Sequence, residues 1–184
     1  MANEQDHDFS RLNAQIKNWE RSDLKEENLR IMGQFLSGEV QDLDEVRFKC
    51  IRNCLLLQVV LETFPRANVC SDLLTEELYA SKAENNGYEK YHVITVGQRP
   101  IEPALFLPDT IVKQMKDFTR MSEKLHGKCS FIFHTFNKRK MTESELSYQL
   151  NEIWHQHLNQ SEGGAHENNM DKVSFTYFRK YNHR

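Results

Sequence analysis

Apolar residues fall three and four apart along the first half of the chain. Phe9, Leu12, Ile16 and Trp19 form one such series, and its period predicts a short amphipathic helix. Ser22 or Asp23 starts a second, with Asp23 and Glu26 at capping-box spacing. Its apolar side is Leu24, Leu29, Met32, Phe35 and Leu36, and Gly38 is its stop. From 42 to 64 the apolar face widens until, between Leu55 and Leu61, only Gln58 interrupts it. A helix apolar all round packs on several sides, so this one is expected at the centre. Pro65 ends it, because proline disfavours helical geometry in the residue before it. Ser71 or Asp72 begins a fourth helix through Leu73, Leu74, Leu78 and Tyr79, which dissolves in the turn signal of residues 83–87.

The period then changes. Residues 91–96 are β-rich and end at Gly97, and residues 98–108 carry three of the four prolines and read as a loop. Asp109 caps a helix with Ile111, Val112, Met115, Phe118, Met121 and Leu125 inward, closed by Gly127. Residues 129–136 are apolar on both faces, as a central strand is. Thr142 and Glu145 form a capping box for a helix with Leu146, Leu150, Ile153, Trp154 and Leu158 inward. Residues 159–169 are polar and glycine-containing, and mobility is expected there. Residues 173–178 alternate like a half-buried strand. The expected fold class is therefore α+β. Four N-terminal helices (1–87) pack with a small three-stranded sheet of β-α-β-α-β order (88–184), the two regions forming one compact unit.

Composition narrows the class of protein. In 184 residues, 39% apolar with eleven Phe, six Tyr and two Trp, there is enough to fill a core, and wholesale disorder is excluded. No apolar run approaches the ~18 residues of a membrane span. The start of the chain is polar and acidic, unlike a signal peptide, so a cytoplasmic location is expected. The four cysteines form no Cys-x-x-Cys pair and are expected to be reduced.

Charge is divided unevenly. Residues 1–87 hold 10 basic and 16 acidic side chains, and residues 88–184 hold 14 and 11. An anionic partner is therefore directed to the second half. Two basic spots stand there: Lys138, Arg139 and Lys140 in a turn, and Arg179, Lys180 and Arg184 interleaved with Tyr177, Phe178 and Tyr181. Cations beside aromatic rings suit single-stranded nucleic acid, where charge meets phosphate and rings stack on bases.

Motifs for chemistry are weak. His155 and His157 have the spacing of a metal-binding His-x-His, but they lie in a helical pattern. Positions i and i+2 of a helix point about 200° apart and do not share an ion. His166, Cys129 and His134 add no paired zinc spacing. There is no phosphate-binding glycine loop and no Gly-x-Ser-x-Gly elbow. The 128–136 segment lacks the glycines of an RNA-recognition strand. No catalytic residue, metal or cofactor is assigned, and the reading leans away from an enzyme.

The first expectation is accordingly a non-enzymatic regulatory protein working through protein–protein contacts, with Trp19, Leu36 or Leu107 as an uncovered apolar face. The alternative is an RNA- or DNA-binding protein using Lys138, Arg139, Lys140, Tyr177, Arg179, Lys180 and Tyr181. It requires the two basic segments to share one continuous face.

Overall fold

The computed structural model describes residues 2–85, 90–97, 104–161 and 173–182, with side chains for all of these except 2–8, 161, 181 and 182. Two helices open the chain, α1 (Ala2–Glu20) and α2 (Asp23–Ser37). Ser22 sits at the start of α2 without a side-chain cap, and Gly38, at φ 87°, closes it as expected. The central helix is α3 (Glu45–Thr63). Its Asp44 carboxylate accepts from Arg47 N at 2.8 Å. Its end is made by Phe64 in the left-handed region (φ 47°), with Pro65 beyond. Every residue from Ile51 to Val60 is buried, as a helix packed on all sides requires. In place of one fourth helix there are two short ones, α4 (Ala67–Asp72) and α5 (Thr75–Tyr79), because Leu73 and Leu74 take extended geometry between them.

The sheet is α+β in class, as expected, but its order is not β-α-β-α-β. Strands β1 (Lys82–Asn85), β2 (Lys90–Thr95) and β3 (Ala104–Pro108) follow one another as an antiparallel meander in the order β1-β2-β3. Neighbours joined by such short links pair antiparallel, whereas parallel pairing needs a long crossover. His92 faces Leu107 and Ile94 faces Leu105 in the register, and these four are buried. Phe106, between the two leucines, is 57% exposed. The alternation in β3 was masked by the prolines around it.

Two expected strands are absent. Residues 129–136 are buried at Ile132, Phe133 and His134, yet make only isolated bridges, Leu74 with Phe131 and His134 with Lys140. Their backbone is satisfied by loops: Ile132 N donates to Leu73 O, and Thr135 N to Arg139 O. Residues 173–178 enter a helix, α8 (Phe175–Asn182), because Phe175 and Phe178, three apart, are both buried.

The long C-terminal helices are as read. In α6 (Asp109–His126), Ile111, Val112, Met115, Phe118 and Met121 are buried, and Gly127 N donates to Glu123 O. Pro108, not Asp109, is the N-cap; the Asp109 carboxylate instead takes His92 at 2.8 Å and Lys113 at 2.8 Å. The capping box before α7 (Glu143–Ser161) is formed: Thr142 N donates to Glu145 Oε2, and Glu145 N to Thr142 Oγ1. One set of buried side chains runs from Leu12 to Phe178. No helix of the described residues is long and apolar enough to cross a membrane. All four cysteines carry free thiols. Most of the segment 159–169 lies outside the described residues.

Candidate nucleic-acid interface

The first basic segment is a tight turn. Lys138 stands at φ 63°, in the left-handed region, and its N–H donates to Thr135 O. Its two neighbours are neutralised. Arg139 forks onto Glu145, with Nη1 at 3.1 Å and Nη2 at 2.5 Å. Arg139 beside it holds the Glu145 carboxyl down at about 2, helped by the Thr142 N–H. Lys140 Nζ lies 2.5 Å from Asp72 and over the Phe131 ring. Of the three, only Lys138 meets no carboxylate among the described residues.

The second segment is α8. Ser174 Oγ accepts from Tyr177 N at 3.2 Å and caps the helix. Phe178 packs edge-on against Trp154 of α7 at 5.2 Å, and Tyr177 packs edge-on against Phe178 at 5.5 Å. With Phe175 and Phe178 inward, Lys180 is exposed and Arg179 half-exposed, and neither pairs with a described carboxylate. The Tyr181 side chain and Arg184 lie outside the described residues.

Each segment touches helix α7. Arg139 is held at Glu145, and α8 rests on Trp154, nine residues later. That is ~13 Å along a helix axis and about half a turn around it. The two spots are therefore anchored at different points along α7.

Beside the first spot lies a cleft that sequence reading missed. It measures about 700 Å³ and is lined by Lys49, Arg52, Arg139, Glu45, Glu145 and Tyr148, among others. Arg52 is 2% exposed, yet no carboxylate lies within ion-pair distance of it among the described residues. Neutral acceptors hold it instead: Asn53 Oδ1 at 3.0 and 2.8 Å, His134 O at 3.1 Å and Gln149 Oε1 at 3.1 Å. Burial lowers its pKa to about 10. The signal was present in the sequence as a charged residue inside the most apolar helix, where a cation is rarely buried unless it is paired.

The histidines are positioned, not clustered. His157 Nε2 donates to Gln15 O and its ring meets Trp19 edge-on, while His155 is bonded to Asn151. His134 gives its Nδ1–H to Thr135 O at 2.7 Å and accepts the Ser122 hydroxyl at Nε2 at 2.8 Å, deep in the core. His92 gives Nε2–H to Asp109 and accepts Ser81 at Nδ1, at 3.1 Å, tying β2 to the start of α6. Among the described residues no three His, Cys, Asp or Glu converge to hold a metal ion.

No protein-family model matches this sequence, and no curated protein matches it. Among solved structures, the chain is similar to XerH site-specific recombinase bound to palindromic difH substrate in a post-cleavage complex, at 19% identity and a TM-score of 0.49. It is also similar to the pre-cleavage complex of XerH with difH substrate, at 18% and 0.48. Each comparison covers 85% of this chain; the chain spans 38% of the first recombinase chain and 39% of the second.

The expectation of a non-enzymatic regulatory protein acting through protein contacts is corrected. The residues named for its apolar face are not uncovered: Trp19 is 2% and Leu107 0% exposed, and Leu36 packs half-buried against the core.

Proposed function

We propose that the chain binds nucleic acid, RNA or DNA, through Arg179 and Lys180 of α8 beside Tyr177, with Lys138 as a second contact. The observation that carries the reading is the outward pair on α8, which meets no carboxylate among the described residues. Elsewhere many cations are cancelled: Arg30 by Glu27, Lys49 by Glu45, Arg120 by Asp117, Arg139 by Glu145 and Lys140 by Asp72. A backbone phosphate gains most from a cation that gives up no existing partner. Arg139 and Lys140 contribute only by exchanging a carboxylate for phosphate. Tyr181 belongs to the same helix and is part of the proposal. A reducing, cytoplasmic location accords with the four free thiols.

The test is a titration of labelled single- and double-stranded oligonucleotides at 50 and 200 mM salt. Three phosphate contacts weaken binding roughly 20- to 40-fold over that range. Changing Lys138, Arg179 and Lys180 together to Ala removes the salt-dependent binding. Wild-type affinity in that variant sinks the proposal.

A further inference from the structure

We propose that the cleft between α3, the 135–141 turn and α7 is an anion site that takes one phosphate group, with Arg52 as its charge. The lining charges cancel in pairs except one. Lys49 is 2.7 Å from Glu45, and Arg139 forks onto Glu145. The remaining unit of charge is the Arg52 guanidinium. A guanidinium has five N–H groups. Four hydrogen bonds are made here, all to neutral oxygens, and Nη1 makes only the one to His134 O. One N–H on Nη1 is therefore left over. A buried cation without a counterion is costly, and an anion seated in the cleft removes that cost. Thr135, Asn137, Ser144 and Tyr148 line the same cleft and supply hydroxyl and amide donors of the kind phosphate oxygens accept.

The inference rests on the nucleic-acid reading only for the source of the phosphate. Free phosphate and a backbone phosphate present the same chemistry, and the experiment separates them. The decisive variant is Gln149→Glu. Gln149 Oε1 already accepts from Arg52 at 3.1 Å and from Asn53 at 2.7 Å, so a glutamate keeps both bonds and adds the missing counterion. Arg52→Met is the companion, which removes the charge.

The measurement is the thermal midpoint of the full chain in inorganic phosphate against chloride at equal ionic strength. Phosphate raises the wild-type midpoint by several degrees more than that of Gln149→Glu, which also unfolds at higher temperature in chloride. The general salting effect of phosphate acts on both and cancels. Equal shifts in the two proteins overturn the proposal, whatever becomes of the Lys138/Arg179/Lys180 variant. If the phosphate response is lost and oligonucleotide affinity falls at least threefold, the site takes a backbone phosphate. If the response is lost and oligonucleotide affinity is intact, it takes free phosphate, and the α8 reading is judged by its own variant.

Discussion

Lowering the pH from 7.5 to 5.5 should destabilise this protein through His134, well before any carboxylate is protonated. The ring is 1% exposed and both nitrogens are occupied in the neutral form. Protonation forces the Ser122 hydroxyl to turn and accept, and it places a second cation beside Arg52, whose Nη1 already bonds His134 O. Desolvation is the largest influence and lowers the His134 pKa from 6.5; its bond to Thr135 opposes this, and Arg52 adds to the lowering. The sign follows from proton counting. Below about pH 6.5 the unfolded chain takes up a proton that the folded chain refuses. The stability contributed by neutral His134 is therefore complete above that pH. It is lost at up to ~1.4 kcal/mol per pH unit as the pH falls toward the folded-state value. His126 is also lowered by burial and by Lys138, so it adds a slope of its own. For that reason the observable is the difference between wild type and His134→Asn. At pH 7.5 the variant loses about 1–3 kcal/mol, since Ser122 is left without its acceptor. The gap narrows as the pH falls from 6.5 to 5.5. Urea unfolding at four pH values measures it. A gap that stays constant down to pH 5.5 refutes the argument.

Other outcomes follow from the same geometry. Lys113, His92 and Lys90 hold Asp109 well below the usual carboxylate range, so its contribution is intact above about pH 4 and is lost only in acid; the stability gap between wild type and Asp109→Asn should close below pH 4 and not above it. Glu145→Gln frees Arg139, and oligonucleotide titrations should show tighter binding with a salt slope steeper by about one, while urea unfolding shows little change, since the Gln amide oxygen still accepts from Thr142 N. Lys138→Gly should move two readouts in opposite directions, raising stability by about 1 kcal/mol through relief of the left-handed backbone and weakening nucleic-acid affinity. We further propose that residues 1–87 and 88–184 unfold together, so circular dichroism and tryptophan fluorescence should trace one transition; two separated transitions would refute it.

The helices were legible wherever a local rule was sufficient. The all-apolar stretch of α3, the stops at Gly38 and Gly127, and the Thr142–Glu145 box depend on neighbours within a turn, and each stands where the residues place it. The sheet was legible only at β2. Val173, Phe175 and Tyr177 alternate like a strand, yet Phe178 also finds Trp154, and burial of both phenylalanines decides for a helix. At 129–136 apolarity on two faces told of burial correctly, but not of pairing, because a ladder needs a partner edge and the sheet's strands pair with one another.

The candidate site divides the same way. Which side chains are cationic, and that they gather in the second half, is fixed by composition alone. Which of them remain available is a tertiary fact: Asp72, distant in sequence, cancels Lys140, while Lys138 next to it meets no described carboxylate. The buried charge on Arg52 is the clearest case. Its residue type and its place in an apolar helix are written in the chain, but its partners come from residue 134 and residue 149. Local pattern acts over one turn of helix or one strand, whereas the balance of a buried charge is struck by whatever the folded chain brings within about 4 Å of it.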